Sequence, residues 1–64
     1  MGAMTRSIYK FRPGDRVRAN ERAPGDYRGR FGTVVRRTDR PEYEVLFDSD
    51  EVTSFLDSDW LDQV

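Results

Sequence analysis

The sequence predicts an all-β domain, and three observations indicate this class. Every apolar stretch is short, and it either alternates with polar residues or is rich in β-branched and aromatic residues. Turn-forming residues separate these stretches at short intervals, as at Pro13-Gly14, Pro24-Gly25 and Asp48-Ser49-Asp50. No segment between the turns is long enough for a helix of ordinary length. The chain is therefore expected to fold from strands and turns.

The first two strands flank a long loop. The first strand is predicted at about Asp15–Glu21, where Val17 and Ala19 face the interior and their arginine neighbours face outward. A polar loop at Asn20–Arg30 contains two glycines and a proline, which are typical of irregular connections. The second strand follows at Phe31–Thr38 and is centred on a β-branched run.

The third strand has the clearest alternation in the chain. It is predicted at Glu42–Asp48, after a short hairpin connection at residues 39–41. Tyr43, Val45 and Phe47 share one face, whereas two glutamates and a leucine take the other. This pattern is typical of a strand with one face in the core.

Two further strands complete the predicted sheet. The fourth is expected at Glu51–Leu56 and the last at Leu61–Val64, with a short 3-10 turn near residues 57–60 between them. Five short strands, a long first loop and a turn before the last strand describe a five-stranded SH3-like barrel, which buries a small core by closing the sheet. Much of the apolar burial is expected from four aromatic side chains: Tyr43, Phe47, Phe55 and Trp60.

Composition sets the size and excludes several chemistries. The 64 residues carry 11 basic and 12 acidic side chains, for a formal net charge of −1. The absence of cysteine excludes a disulfide framework and a thiolate nucleophile, and the absence of histidine removes the usual metal ligand and general base. We expect a disordered tail with a cloning remnant at residues 1–7, and a single domain at residues 8–64.

The sequence predicts no cofactor, no metal site and no catalytic activity. The Asp-Ser-Asp runs at Asp48 and Asp57 are explained by turn chemistry. No apolar stretch approaches the ~20 residues of a membrane span. With no export signal recognised, we expect a cytoplasmic protein without membrane contact.

The charges are strongly separated along the chain. Residues 1–40 contain eleven basic and four acidic residues, a net of +7, whereas residues 41–64 contain eight acidic residues and no base. One interpretation is that the two halves pair with each other across strands. The other is a dipolar surface that binds a polyanion or stacks against another copy.

The first half of the chain resembles the KOW motif of small SH3-like barrels. The resemblance rests on Gly14–Arg18, a loop, and then Gly29–Val35, with a threonine and valines in the second strand. Gly29 and Gly32 suit a tight re-entry that needs positive φ or a bulge. Kinship with KOW and Tudor-like barrels implies a binding role, with ribosomal or transcription partners in basic members. This chain departs from them in its acidic last third.

Two further resemblances extend beyond this motif. The order of motifs is similar to plasmid-type (type B) dihydrofolate reductases, which are tetrameric SH3-like barrels with a Val-Gln-Ile-Tyr signature on the fourth strand. Val52–Phe55 stands at that place, with Thr53 for the glutamine and Phe55 for the tyrosine. Phe11, followed by Gly14–Arg18, also resembles the barrel of the nitrile hydratase β subunit, which implies an accessory or docking role.

Two sets of residues are candidates for binding. Arginines interleaved with aromatics can contact phosphates and stack on bases, or form a peptide groove. These candidates for a nucleic-acid or partner site are Arg16, Arg18, Arg22, Tyr27, Arg28, Arg30, Phe31, Arg36 and Arg37. The candidates for a protein interface are Thr53, Phe55 and Trp60, with Tyr27 also expected to be exposed.

The acidic half favours a non-enzymatic module for protein–protein interaction or self-association, because it repels polyanions. RNA binding through the arginine-rich, KOW-like face is the alternative. A tetrameric reductase-like barrel is the second alternative.

Overall fold

The computed structural model describes residues 10–64, which form five strands and one short 3-10 helix. The elements are β1 (Arg16–Ala19), β2 (Phe31–Arg37), β3 (Glu42–Phe47), β4 (Ser54–Asp57), the 3-10 helix η1 (Ser58–Trp60) and β5 (Leu61–Gln63). The all-β class and the 3-10 turn before the last strand are confirmed. The tail predicted at residues 1–7 lies outside the described residues.

All five strands belong to one antiparallel sheet with the order β4-β3-β2-β1-β5. β4 and β5 are the two end strands, yet only the three residues of η1 connect them. Three residues of 3-10 helix rise about 6 Å, whereas four strand spacings in a flat sheet amount to about 19 Å. The sheet therefore curls until its two ends approach each other.

One face of this curled sheet encloses the core. The alternation predicted on β1 and β3 is confirmed, since every second residue of both strands is buried. The core contains Phe11, Val17, Ala19, Ala23, Val34, Tyr43, Val45, Phe47, Leu56 and Leu61. Trp60 is half-buried and packs against this cluster.

The expectation that Phe55 belongs to the core is wrong. Leu56 lies opposite Tyr43 and is fully buried, so the neighbouring Phe55 lies on the other face, where it is 48% exposed. Successive side chains of a strand point to opposite faces, and the pairing with β3 decides which one faces inward.

Gly29 and Gly32 serve different purposes. Gly29 has φ +83°, the left-handed conformation expected at the re-entry into β2. Gly32 does not have positive φ; it lies within the sheet opposite Phe47, and a Cβ there would be only 2.7 Å from the carbonyl oxygen of Leu46. Glycine at position 32 is therefore required by close packing.

A bulge in β2 changes which side chains reach the outer surface. Val34 pairs with Val45 and Arg36 pairs with Glu44, so Val35 is an extra residue between them. Val34 is buried, whereas Val35 is 42% exposed and Arg36 is exposed beside it. Two consecutive side chains of β2 thereby lie outside the core.

Candidate functional site

Within residues 10–64, three ion pairs join the basic first part of the chain to the acidic last part. They are Arg16–Asp48, Arg30–Asp50 and Arg36–Glu44, each at 2.7 Å. This arrangement supports the interpretation that the two halves pair across strands. Exposed pairs stabilise a fold only slightly, but these pairs compensate the charge of three arginines from the predicted binding set.

The long loop is fixed to the core by residues that were candidates for ligand contact. The Tyr27 ring stacks on Phe47 with centroids 5.4 Å apart, and the Arg30 guanidinium lies 4.8 Å from the centroid of Phe47. Arg28 Nε donates to the carbonyl oxygen of Ala23 at 3.1 Å. Tyr27 is half-buried, so the expectation that it is exposed is wrong. These side chains hold the loop in place.

The remaining arginine candidates lie in separate places. Arg18 and Arg22 line a polar cleft of about 290 Å³ together with Glu21 and Asp62. Arg37 is at the other end of β2, opposite Tyr43, in a second cleft of about 250 Å³. The structure does not gather the nine candidates into one basic surface.

The sheet face turned away from the core has several exposed apolar side chains. We call this surface the outer face; it contains Phe31, Val35, Arg36, Glu44, Leu46 and Phe55. Phe31 is 43% exposed, Leu46 38% and Phe55 48%. Leu46 lies with the glutamates of β3 and Val35 continues the outward alternation of Phe31 and Thr33, whereas Arg36 reaches this face only through the bulge.

Glu44 is held at the centre of the outer face, opposite Phe55. Its Oε1 accepts from Arg36 Nε at 2.7 Å, and its Oε2 accepts from Thr53 Oγ1 at 2.6 Å. The hydroxyl of Thr53 therefore positions the Glu44 carboxylate. The Thr53–Glu44–Arg36 chain thus forms a fixed polar strip beside Phe55.

Next to this strip, two carboxylates lie directly opposite each other. Glu42 of β3 pairs with Asp57 of β4 in the strand register. Thr38 Oγ1 donates to Glu42 at 3.4 Å, and the Asp59 N–H donates to Asp57 at 2.9 Å. Within residues 10–64, neither carboxylate forms an ion pair.

The Arg16–Asp48 pair makes a testable pH prediction. Arg16 donates to both carboxylate oxygens, at 2.7 and 2.9 Å, and this hydrogen bonding lowers the pKa of Asp48 from its ordinary 3.8. A carboxyl group whose pKa is lower in the folded state stabilises the fold at pH values above its ordinary pKa. This stabilisation is lost as the pH falls through the pKa of the folded state. An NMR titration of the Asp48 carboxyl carbon should therefore have its midpoint below 3.8.

Arg16→Gln is the matched variant for this titration. Its Asp48 midpoint should return to the ordinary value, and its stability should approach that of the wild type only in strong acid. Equal midpoints in the two proteins would contradict the pairing.

The part of the chain that the structure describes contains no cluster of three or more metal-ligating side chains. It also contains no helix that is long and apolar enough to cross a membrane. No protein-family model matches the sequence, and the searches of curated proteins and of solved structures found no significant match.

Proposed function

We propose that this chain is a small SH3-like barrel that acts as a non-enzymatic protein-binding module, with the outer face around Phe55 as its interface. The observation that carries the proposal is the group of exposed apolar side chains on one regular surface, which includes Val35, Leu46 and Phe55. Neighbouring apolar side chains on a rigid sheet can exclude water from a partner, as the centre of a protein interface does.

The polar groups of the outer face suit a protein partner. Aromatic side chains dominate the energy of protein interfaces, and satisfied polar groups around them set specificity. Phe55 lies opposite Glu44, whose two oxygens already accept hydrogen bonds from Arg36 and Thr53. A partner can therefore cover Phe55 without leaving the Glu44 carboxylate unpaired.

Charge compensation favours protein over nucleic acid as the ligand. Arg16, Arg30 and Arg36 are each bound to a carboxylate, and Tyr27 is stacked within the loop. A phosphate backbone would compete with these carboxylates for the same guanidinium groups. Nucleic-acid affinity depends mainly on free cationic groups, and here few of the candidates are free.

A selection of displayed random peptides tests the proposal. Wild-type protein is expected to enrich binders, and Phe55→Asp is expected to lose them because a carboxylate within the apolar surface must be desolvated. Val64→Asp is the matched control, since Val64 is also exposed, at 70%, but lies beyond β5 and outside the outer face. Circular dichroism verifies that both variants are folded.

Two results would overturn the proposal. One is enrichment of the same peptides on Phe55→Asp as on the wild type. The other is failure to enrich any peptide, combined with retention on immobilised RNA at ~50 mM salt that declines steeply as salt rises, which is the signature of counterion release. The second result would favour the RNA-binding alternative.

A further inference from the structure

β4 is an open edge of the sheet. In an antiparallel ladder only every second residue bonds to the neighbouring strand. The Ser58 N–H donates to Pro41 O at 3.0 Å, and the register then directs the main-chain groups of Leu56 and Ser54 toward β3. The N–H and C=O groups of Phe55 and the N–H of Asp57 therefore point away from β3, whereas the C=O of Asp57 belongs to the first turn of η1.

The other end strand is protected in a way that β4 is not. Lys10 Nζ donates to the carbonyl oxygens of Leu61 at 3.2 Å and Ser58 at 3.0 Å, so a lysine covers the beginning of β5. Lysine and proline are common means of blocking an edge strand. β4, with the sequence Ser-Phe-Leu-Asp, has neither. β4 is therefore more accessible to an added strand than β5 is.

The charges around β4 specify the partner. Among the described residues, arginine binds three acidic residues of the last part of the chain and leaves five without an ion pair: Glu42, Glu51, Asp57, Asp59 and Asp62. Like charges placed directly opposite each other destabilise a strand pair, so the Glu42–Asp57 pair would be relieved by a cation beside it. Phe55 offers such a cation an exposed aromatic face two residues away.

A second copy of the chain does not supply this chemistry. Pairing of β4 with β4 of another copy would bring two acidic surfaces together. The strand that carries arginines on its outward face, β1, lies between β2 and β5 and has no free edge to offer. The fitting occupant is a basic segment from a different protein.

We propose that β4 binds an extended, basic peptide segment by strand addition, an inference that rests on the proposed protein-binding function. Main-chain bonds to the N–H and C=O of Phe55 and to the N–H of Asp57 hold the added strand. Its basic side chains lie on the outer face, one beside the Glu42–Asp57 pair and the next beside the Phe55 ring. Main-chain bonds of this kind supply affinity, and alternate side chains supply specificity.

The probe is a labelled decapeptide of alternating lysine and valine, measured by fluorescence anisotropy with the full chain. Its glutamate–valine counterpart should not bind. Only every second amide of an added strand faces its neighbour. Methylation of one alternate set of peptide nitrogens should therefore weaken binding about tenfold or more, while methylation of the other set spares it. The Phe55 and Asp57 amides should become protected from hydrogen exchange.

Charge removal on the protein gives the second readout. Glu42→Gln combined with Asp57→Asn keeps hydrogen-bond acceptors in place and should weaken lysine-peptide binding about threefold to tenfold. The matched control is Glu21→Gln combined with Asp26→Asn, which removes two exposed carboxylates from the long loop and should leave binding near the wild-type value.

Three results would overturn the inference, and they are distinct from failure of the proposed function. Equal binding of both methylated peptides would exclude strand addition, even if the Phe55→Asp selection confirms a protein interface. Equal binding of the lysine and glutamate peptides would exclude a basic partner. A dimer in light scattering whose Phe55 and Asp57 amides are already protected would place a second copy on β4.

Discussion

Replacing Gly32 with alanine is expected to lower the free energy of unfolding by about 3 kcal/mol. The added Cβ would lie 2.7 Å from the carbonyl oxygen of Leu46, 2.9 Å from Val45 Cγ1 and 3.0 Å from the Cα of Phe47. Two of these atoms belong to the backbone of β3, so relief of the overlap requires the β2–β3 pair to separate. Urea unfolding followed by the fluorescence of Trp60, the only tryptophan, measures the loss.

Gly25→Ala is the matched control for this substitution. Gly25 lies in the long loop, its φ is not positive, and a Cβ there would meet nothing within 4 Å. Its stability should change by no more than about 0.5 kcal/mol. If Gly32→Ala unfolded at the same urea concentration as Gly25→Ala, the close approach of β2 and β3 at this position would be wrong.

Local pattern in the sequence predicts most of the sheet. β3 is predicted to within one residue because period-2 alternation over Glu42–Phe47 is decisive for a strand with one buried face. β4 begins at Ser54 rather than at the predicted Glu51. The reason is that the turn extends through Val52, which is 73% exposed, and Thr53 uses its hydroxyl to bind Glu44. The β-branched residues Val52 and Thr53 favour a strand by composition, but they lie before the start of β4.

The candidate surface was less predictable, because tertiary contacts decide it. Hydrophobicity does not distinguish Phe55 from Leu56, and only the pairing of Leu56 with Tyr43 places Phe55 outside. Arg36 reaches the outer face through a bulge that has no marker in the sequence. The charge separation favours pairing between the two halves, but the sequence does not say that Arg36 pairs with Glu44.

The contacts of the arginine-rich loop also could not be predicted from its own sequence. Interleaved arginine and aromatic residues are typical of ligand-binding loops and of loops that pack on their own core, and composition is the same in both. Here Tyr27 and Arg30 both contact Phe47, a residue 20 and 17 positions further along the chain. Contacts at such separation depend on the strand register, which the loop sequence does not contain.

Phe47→Ala is expected to lower the free energy of unfolding by about 3–5 kcal/mol. Phe47 is 1% exposed, and its ring supports the stacked Tyr27 ring and the Arg30 guanidinium. Its removal therefore leaves a core cavity and also detaches the long loop. A domain of this size buries a small core and has a narrow stability margin, so the variant should be largely unfolded by circular dichroism at room temperature.

Phe55→Ala separates this structural role from the proposed binding role, since it truncates a phenylalanine on the outer face instead of one in the core. Because Phe55 is 48% exposed, its truncation should cost no more than about 1 kcal/mol. The folded variant should nevertheless lose peptide binding, because the aromatic side chain opposite Glu44 is gone. If Phe55→Ala destabilised the protein as much as Phe47→Ala, the assignment of Phe55 to the outer face would be wrong. Retained binding by Phe55→Ala would mean that a partner contacts the protein elsewhere.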